Sequence, residues 1–401
     1  MAKKEVYIVD AVRTPIGRFK GALKSVRTDD LAATVIKGLV ERNPDVPVEE
    51  IEEVVLGNAN GAGEENRNVA RMAVLLADLP IEVGGTTLNR LCGSGLDAVN
   101  YAARAILANE GDIFIAGGTE SMTRAPFVMA KAETDFQRSV EIYDTTIGWR
   151  FPNPKIEEKY GIDSMPETAE KVAQKYEISR EAQDEFAQNS QMKAKAAIEA
   201  NRFKEEIIPV EITGQKGQTT IVDTDEHPRP NSTLEGLAKL SPIFKDGTVT
   251  AGNSSGINDG SSVLLLMSGE KVKELGVKPL GKYIVSAIAG LEPEVMGLGP
   301  IYASQKALRR AGLKANDMDL VELNEAFASQ SIECIKQLEF QTDFVNVNGG
   351  AIAFGHPLGA SGARILTTLL HEMHKREHIN YGLATMCIGV GQGIATIVKK
   401  C

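Results

Sequence analysis

Apolar positions along the chain fall into two rhythms. Short runs at Val6–Val9, Val54–Gly57, Thr86–Leu91 and Asp112–Ala116 read as strands. Between them lie the amphipathic stretch Leu31–Arg42 and a segment opening at Leu96. In that segment Leu96, Val99, Ala103 and Ile106 recur at the helical three-to-four spacing. Farther on, Tyr283–Ala287, Leu320–Leu323 and Leu383–Ile388 predict strands, and Ala303–Ala311 predicts a helix. Phe344–Val347 leads through a glycine-rich loop into another helix from Ala360. Strand–helix alternation of this kind predicts an α/β fold with largely parallel sheets.

The two halves follow one plan. Gly95 to Asp112 is 17 residues and Gly362 to Tyr381 is 19, and Leu56–Asn58 against Leu323–Glu325 sets the offset at about 266 residues. That period is far too long for a solenoid and predicts two similar sheet domains about a pseudo-twofold. Residues 120–248 have no counterpart in the second half. They carry the polar helical stretch Ser179–Asn201, with Ser179 as its cap and Ala182, Phe186, Ala194 and Ala197 on one face, then the turn-rich His227-Pro228-Arg229-Pro230. The expected organisation is a first domain of residues 1–119 plus 249–273, an inserted loop domain at 120–248 that covers a ligand, and a second domain at 274–401.

Composition narrows the function classes. The 401 residues carry 44 Lys and Arg against 54 Asp and Glu, a net charge of −10 that lacks the basic balance of a general nucleic-acid binder. No apolar run approaches a membrane span, and the strand pattern begins almost at the first residue, so a cytoplasmic protein without a signal peptide is expected. The four cysteines, Cys92, Cys334, Cys387 and Cys401, form no CxxC pair and suit a reducing compartment.

Four stretches hold candidate chemistry. In LNRLCGSGLDAV, Cys92 is predicted to end a strand just before a glycine turn and a helix, the setting of a nucleophile elbow. There the helix dipole and free N–H groups favour a thiolate and can hold an oxyanion; a small packed core cysteine is the alternative. In VNGGAIAFGHPLGASGAR, His356 stands at the corresponding point of the second half, where it can accept the Cys92 proton. LATMCIGVGQGIATIV places Cys387 at a strand end before a tight glycine hairpin, either as packing or beside a ligand oxygen. VELNEAFASQ places Asn324 between strand and helix, as an N-cap or as the holder of a water or a substrate amide. His371, His374 and His378 share a helix face, and a solvated helix end is preferred there to a metal site. Cys334 is expected to pack within a helix and Cys401 to fray.

Together LCGSG, NEAF, GGAIAFGHPLGASGAR and CIGVGQG, in this order, resemble the thiolase family from VDAVRTPIG to the last strand. The resemblance implies a thiolase fold: two duplicated five-stranded mixed-sheet α/β domains in layers, with an inserted loop domain. It implies reversible Claisen chemistry between 3-oxoacyl-CoA, CoA and acetyl-CoA, with coenzyme A as substrate, no cofactor and no metal. Cys92 becomes the acyl acceptor, His356 its base, Cys387 the second acid/base, Asn324 the holder of a water, and Cys92 and Gly389 the source of oxyanion N–H groups. Ser255 and Gly256 in TAGNSSGINDG match the pantetheine contact, Arg229 a basic residue near the nucleotide, and Met165, Phe244 and Phe327 the pocket lining. Acyl-CoA and CoA are the implied partners, with neither nucleic acid nor membrane, in a homodimer or homotetramer.

The sequence departs from most thiolases at Val390, where glycine is usual, and has Ser164-Met165 where the acetoacetyl-CoA branch has His-Met. AGEENRNVARMA, ESMTRAPFVMAKAE, DTTIGWRF and DSMPETAE resemble the 3-oxoadipyl-CoA branch of aromatic degradation. Arg124, Arg150 and Lys131 are then candidates to meet a distal carboxylate, CoA phosphates or solvent being their other partners. Two alternatives share the fold: an acetoacetyl-CoA-forming acetyltransferase and a ketoacyl-synthase-like condensing enzyme. A non-catalytic carrier of CoA or lipid would need no intact Cys92, His356 and Cys387.

Overall fold

The computed structural model describes residues 4–214 and 217–401. Nine strands run through its main sheet: β1 (Val6–Arg13), β2 (Ile51–Gly57), β3 (Gly84–Leu88), β4 (Ile113–Ser121), β5 (Asn258–Ser268), β6 (Gly281–Gly290), β7 (Leu320–Leu323), β8 (Tyr381–Ile388) and β9 (Gln392–Lys400). Their order is β7-β8-β9-β6-β1-β5-β4-β2-β3, and the two-residue strand Gly17–Arg18 pairs with β5. The duplication is visible in this order: β3-β2-β4-β5-β1 reads inward from one edge as β7-β8-β9-β6 does from the other. The fifth strand of the second half is reduced to one bridge between Val321 and Val345. The halves join where Val6–Ile8 pair with Gly281–Tyr283, so the sheet is continuous.

The sheet is mixed. Only β2–β3, β2–β4 and β7–β8 pair in parallel, and every other neighbour is antiparallel. Alternation alone predicts a largely parallel sheet; the return of the chain through β5 and β9, hairpin-like beside their neighbours, changes the balance.

Alternate residues of each strand face different cores. Val55, Phe114, Ala116, Leu264, Leu266, Ala384, Met386 and Ile394 face inward onto two buried helices, Ser94–Ala108 and Leu358–Lys375. Their neighbours Val54, Leu56, Ile113, Ile115, Val263 and Leu265 pack outward against the helices Thr28–Arg42 and Val69–Leu76. In the second half Val321, Leu323, Leu383, Ala395 and Ile397 do the same against Gly299–Ala311 and Ala328–Gln337. The result is helices, sheet, a central helix pair, sheet and helices.

The central helices touch backbone to backbone at their N-termini. A Cβ on Gly95 would lie 2.6 Å from the carbonyl oxygen of Gly359, and one on Gly362 would lie 2.6 Å from Leu96 Cβ and closer still to Leu96 N. Only glycine allows that approach.

The segment between β4 and β5 holds four helices, Pro154–Tyr160, Met165–Lys175, Arg180–Glu199 and Leu234–Ala238, and two small hairpins. Ser179 caps the third, its side chain accepting from Ala182 N. A buried ion cluster pins the segment down: Arg13, at the end of β1, donates to Glu206 (2.6 Å) and to both oxygens of Asp225 (2.7 and 2.9 Å). Removing one partner of such a cluster costs about 3–5 kcal/mol, because it leaves a charge buried alone.

The helix crossing makes a direct prediction. Gly362→Ala forces its methyl into the Leu96 backbone and should lower stability by about 3 kcal/mol. Gly276 has φ of +67° and nothing near an added Cβ, so Gly276→Ala meets only the left-handed backbone penalty of about 1 kcal/mol. Urea unfolding of both variants checks this; equal losses would show that the crossing tolerates a side chain.

Candidate active site

Both buried helices begin at one place, and the turns that precede them carry Cys92 and His356. Strand β3 ends at Leu88, so Cys92 lies four residues beyond the strand and not at its end as the apolar run Thr86–Leu91 suggests. The intervening residues are held by side chains instead of a ladder: Asn89 donates to Ala59 O (2.8 Å), and Leu91 N donates to Asn89 Oδ1 (2.8 Å). Leu91 adopts φ of +46°, a strained conformation for a leucine, and Ser94 ties the turn by donating to Leu91 O (2.6 Å).

Cys92 is half-buried and its thiol pKa is pushed up to about 11 by burial, against the pull of the N–H groups of Gly389 and of Cys92 itself. These two N–H groups therefore converge on the sulfur. Gly389 opens the turn between β8 and β9, where Val390 and Gly391 take φ of +63° and +78°. A β-branched residue in the left-handed region is strained, which accounts for glycine as the commoner choice at that position. Cys387, near the end of β8, is buried, and burial raises its thiol pKa strongly, with the neighbouring Cys92 adding to the effect.

His356 is buried, and its backbone N–H donates to Asn258 Oδ1 (3.0 Å). Ser361 Oγ lies 2.6 Å from His356 Nδ1 and donates its one hydrogen to Pro357 O (2.8 Å). In that arrangement Nδ1 carries the proton and Nε2 the lone pair. Burial, with the cation of Arg364 second, lowers the His356 pKa to about 3. Burial thus favours the uncharged thiol and imidazole, opposing the helix-terminus effect that the sequence alone suggests for Cys92. Asn324 stands immediately after β7, fully buried, its Nδ2 3.5 Å from both ring nitrogens of His356 and its Oδ1 without a partner among the described residues.

Cys92, His356 and Cys387 face one cavity of about 560 Å³. Ser255, Gly256, Arg229, Met165 and Phe327 also line it, and Arg229 is exposed at its rim. Gly256 is needed where it stands, since a Cβ there would strike the His227 ring. Phe244 does not line this cavity; Ile243 does. Asn324 and Gly389 are not among its lining residues. The inserted segment roofs it with Ile147, Ser164, His227, Leu237 and Leu240. A smaller cavity of about 240 Å³ adjoins it at Cys92, Met122, Met165 and Leu358.

Some residues that order the site carry no local signal in the sequence. Ser361 fixes the imidazole. Glu120, buried beside Cys92, accepts from the N–H groups of Ala59 (2.8 Å) and Gly359 (2.8 Å) and from Asn58 (3.2 Å), stitching the two halves together. Burial raises its pKa to about 7. The spacing of Ser361 from His356 on a helix start is a usable clue; Glu120 is reached only through the fold. Other candidates fall away. His371 is buried and bonds Ala11 O through Nε2 (2.8 Å), contrary to a solvated helix end, whereas His374 and His378 are exposed. Cys334 is core, its thiol on Gly297 O.

Comparison with known proteins agrees with this geometry. The family model described as Thiolase, N-terminal domain matches residues 6–270, and that described as Thiolase, C-terminal domain matches residues 277–400. The chain belongs to the thiolase family. It is thus an acyltransferase that carries acyl groups between CoA and acetyl-CoA by reversible Claisen chemistry.

Among its relatives, the beta-ketoadipyl-CoA thiolase of Pseudomonas knackmussii is 57% identical over 99% of both chains. The 3-oxoadipyl-CoA/3-oxo-5,6-dehydrosuberyl-CoA thiolase of Escherichia coli is 54% identical over 99% of this chain and 100% of its own. An acetyl-CoA acetyltransferase of Chromobacterium violaceum is 49% identical, likewise over 99% and 100%. The Bacillus anthracis acetyl-CoA acetyltransferase structure superposes over the whole of both chains with a TM-score of 0.93 at 41% identity. Human mitochondrial 3-ketoacyl-CoA thiolase does so at 0.92 and 38%. No helix of the described residues is long and apolar enough to cross a membrane.

The uncharged resting pair in this thiolase is open to test. The ultraviolet difference spectrum of wild type minus Cys92→Ser should show no thiolate band at pH 7, the band growing only as pH rises toward 11. A full band at pH 7 would establish a thiolate–imidazolium pair instead.

Proposed function

We propose that this thiolase cleaves a dicarboxylic 3-oxoacyl-CoA, of which 3-oxoadipyl-CoA is the leading case, with Cys92 as nucleophile. The observation that carries the chemical roles is the convergence of Cys92, His356 and Cys387 on one cavity, with His356 Nε2 left as a proton acceptor. The substrate class rests on the names of the relatives at 54–57% identity over nearly the whole chain.

In this reading Cys92 gives its proton to His356 Nε2 as the sulfur attacks the 3-keto carbon. The N–H groups of Cys92 and Gly389 hold the oxyanion. When the oxyanion collapses, the bond between C2 and C3 breaks and its electron pair leaves as the acetyl-CoA enolate. The protonated Nε2 and a water on Asn324 hold the enolate's thioester oxygen, and Cys387 protonates its carbon. The Cys387 thiolate then takes the proton of incoming CoA, whose sulfur attacks acyl-Cys92. The departing Cys92 sulfur recovers its proton from His356. A site that keeps both reactive thiols uncharged between turnovers holds each charge only while a partner neutralises it.

Ser255 and Gly256 receive the pantetheine arm and Arg229 the nucleotide end, with Met165 and Phe327 flanking the thioester. Phe244 would act only from behind Ile243. CoA is consumed as substrate. The enzyme works in the cytoplasm as a homodimer or homotetramer, and it needs no metal.

Two measurements test the roles. Cys92→Ser should lose acyl transfer by at least about a hundredfold while its circular dichroism stays native; near wild-type turnover overturns the assignment. Cys387→Ala should still take an acyl group from acyl-CoA, yet exchange deuterium into the acetyl-CoA methyl at least about a hundredfold more slowly. Undiminished exchange would move the proton transfer to another group.

A further inference from the structure

Ser255, Gly256 and Arg229 line the larger cavity and not the smaller one. The smaller cavity meets the larger one at Cys92, and its wall includes Gly389, whose N–H reaches the Cys92 sulfur. With the pantetheine residues in the larger cavity, an acyl group carried on Cys92 has this second space to enter. The lining is mostly apolar, through Leu91, Met122, Trp149, Leu358 and Val390. A carboxylate entering such a space must meet a cation, because burying it unpaired is prohibitive.

Two of the lining residues are charged, Glu120 and Arg150. Glu120 is satisfied by N–H donors from Ala59, Asn60, Gly359 and the Asn58 side chain, so its oxygens are committed to the scaffold. Arg150 pairs with no carboxylate among the described residues; its one hydrogen bond runs from Nη1 to Thr145 O at a long 3.4 Å. The other cations singled out in this segment are elsewhere engaged or misplaced. Arg124 is forked onto both oxygens of Glu64 and also bonds Lys24 O, and Lys131 is exposed and lines neither cavity.

The backbone that carries Arg150 is anchored at both ends. Thr145 is buried, with its N–H and hydroxyl on Pro126 O (3.3 and 2.6 Å), and Asn60 donates to its side chain (3.0 Å). Trp149 Nε1 donates to Asp163 O (3.2 Å). A guanidinium on an anchored segment, lining a mostly apolar space and paired with no carboxylate among the described residues, is an arrangement suited to recognise a carboxylate through two parallel hydrogen bonds.

We propose that Arg150 binds the terminal carboxylate of a dicarboxylic acyl group carried on Cys92 and thereby sets the enzyme's acyl specificity. This inference rests on the substrate class argued above. The test is the ratio of kcat/KM for 3-oxoadipyl-CoA to that for 3-oxohexanoyl-CoA, which lacks the carboxylate, in wild type, Arg150→Met and Arg150→Lys. The wild-type ratio should be at least about tenfold, Arg150→Met should bring it close to one, and Arg150→Lys should restore part of it as a point charge without the fork. Because both substrates are read on the same sample, loss of folded protein cancels from the ratio; if Arg150→Met turns over neither, the lysine variant decides. A wild-type preference that persists in the variants overturns the role of Arg150 and leaves the substrate class standing. A wild-type ratio near one overturns the substrate class itself.

Discussion

The architecture depends on one close contact, the crossing of two buried helices at their glycine N-termini. Gly95 meets the Gly359 carbonyl and Gly362 meets the Leu96 backbone, at separations that no side chain permits. Glycines on the flanking strands do the same: a Cβ on Gly57 would strike Ser94, and one on Gly118 would strike Gly359. Because each helix start follows directly on a reactive residue, bringing the starts together brings Cys92 and His356 to the same cavity. Packing and catalysis are thus set by the same few positions, and a methyl group there disturbs both.

The duplication explains how different chemistry grew on matching places. The residue after β2 is Asn58 and the residue after β7 is Asn324. Cys92 and His356 precede corresponding helices, and Glu120 on β4 answers to Cys387 on β8. In the first half Asn58 and Glu120 have become scaffold, joined to each other and to Gly359 across the pseudo-twofold. In the second half Cys387 lines the cavity and Asn324 lies against the His356 ring. One half supplies Cys92 and its frame, and the other supplies His356, Cys387 and Asn324.

Burial sets the electrostatics of the centre. It pushes the Cys92 and Cys387 thiols up and His356 down, which favours a neutral resting site. The inserted segment makes this possible by roofing the cavity, and it holds its place through the buried Arg13, Glu206 and Asp225 cluster. The same segment brings Arg150 to the smaller cavity.

The sequence by itself determined the alternation of strand and helix, the duplication, the inserted segment and the four motifs that place the chain among thiolases. These are legible because periodicity, glycine turns and residue spacing are local properties of a chain. It misplaced the end of β3, since Leu91 is apolar yet sits in a left-handed turn held by Asn89 and Ser94. It overstated parallel pairing, because direction depends on which strands become neighbours. It favoured a thiolate at Cys92 from the helix start, whereas desolvation, a property of everything packed around that thiol, pulls the other way. Glu120 and Asn258 became part of the site only when distant segments met. Of Arg124, Lys131 and Arg150, only Arg150 lines the smaller cavity and remains without a carboxylate partner among the described residues. Partnership across long separations is a property of the folded chain, and the tertiary structure alone could decide it.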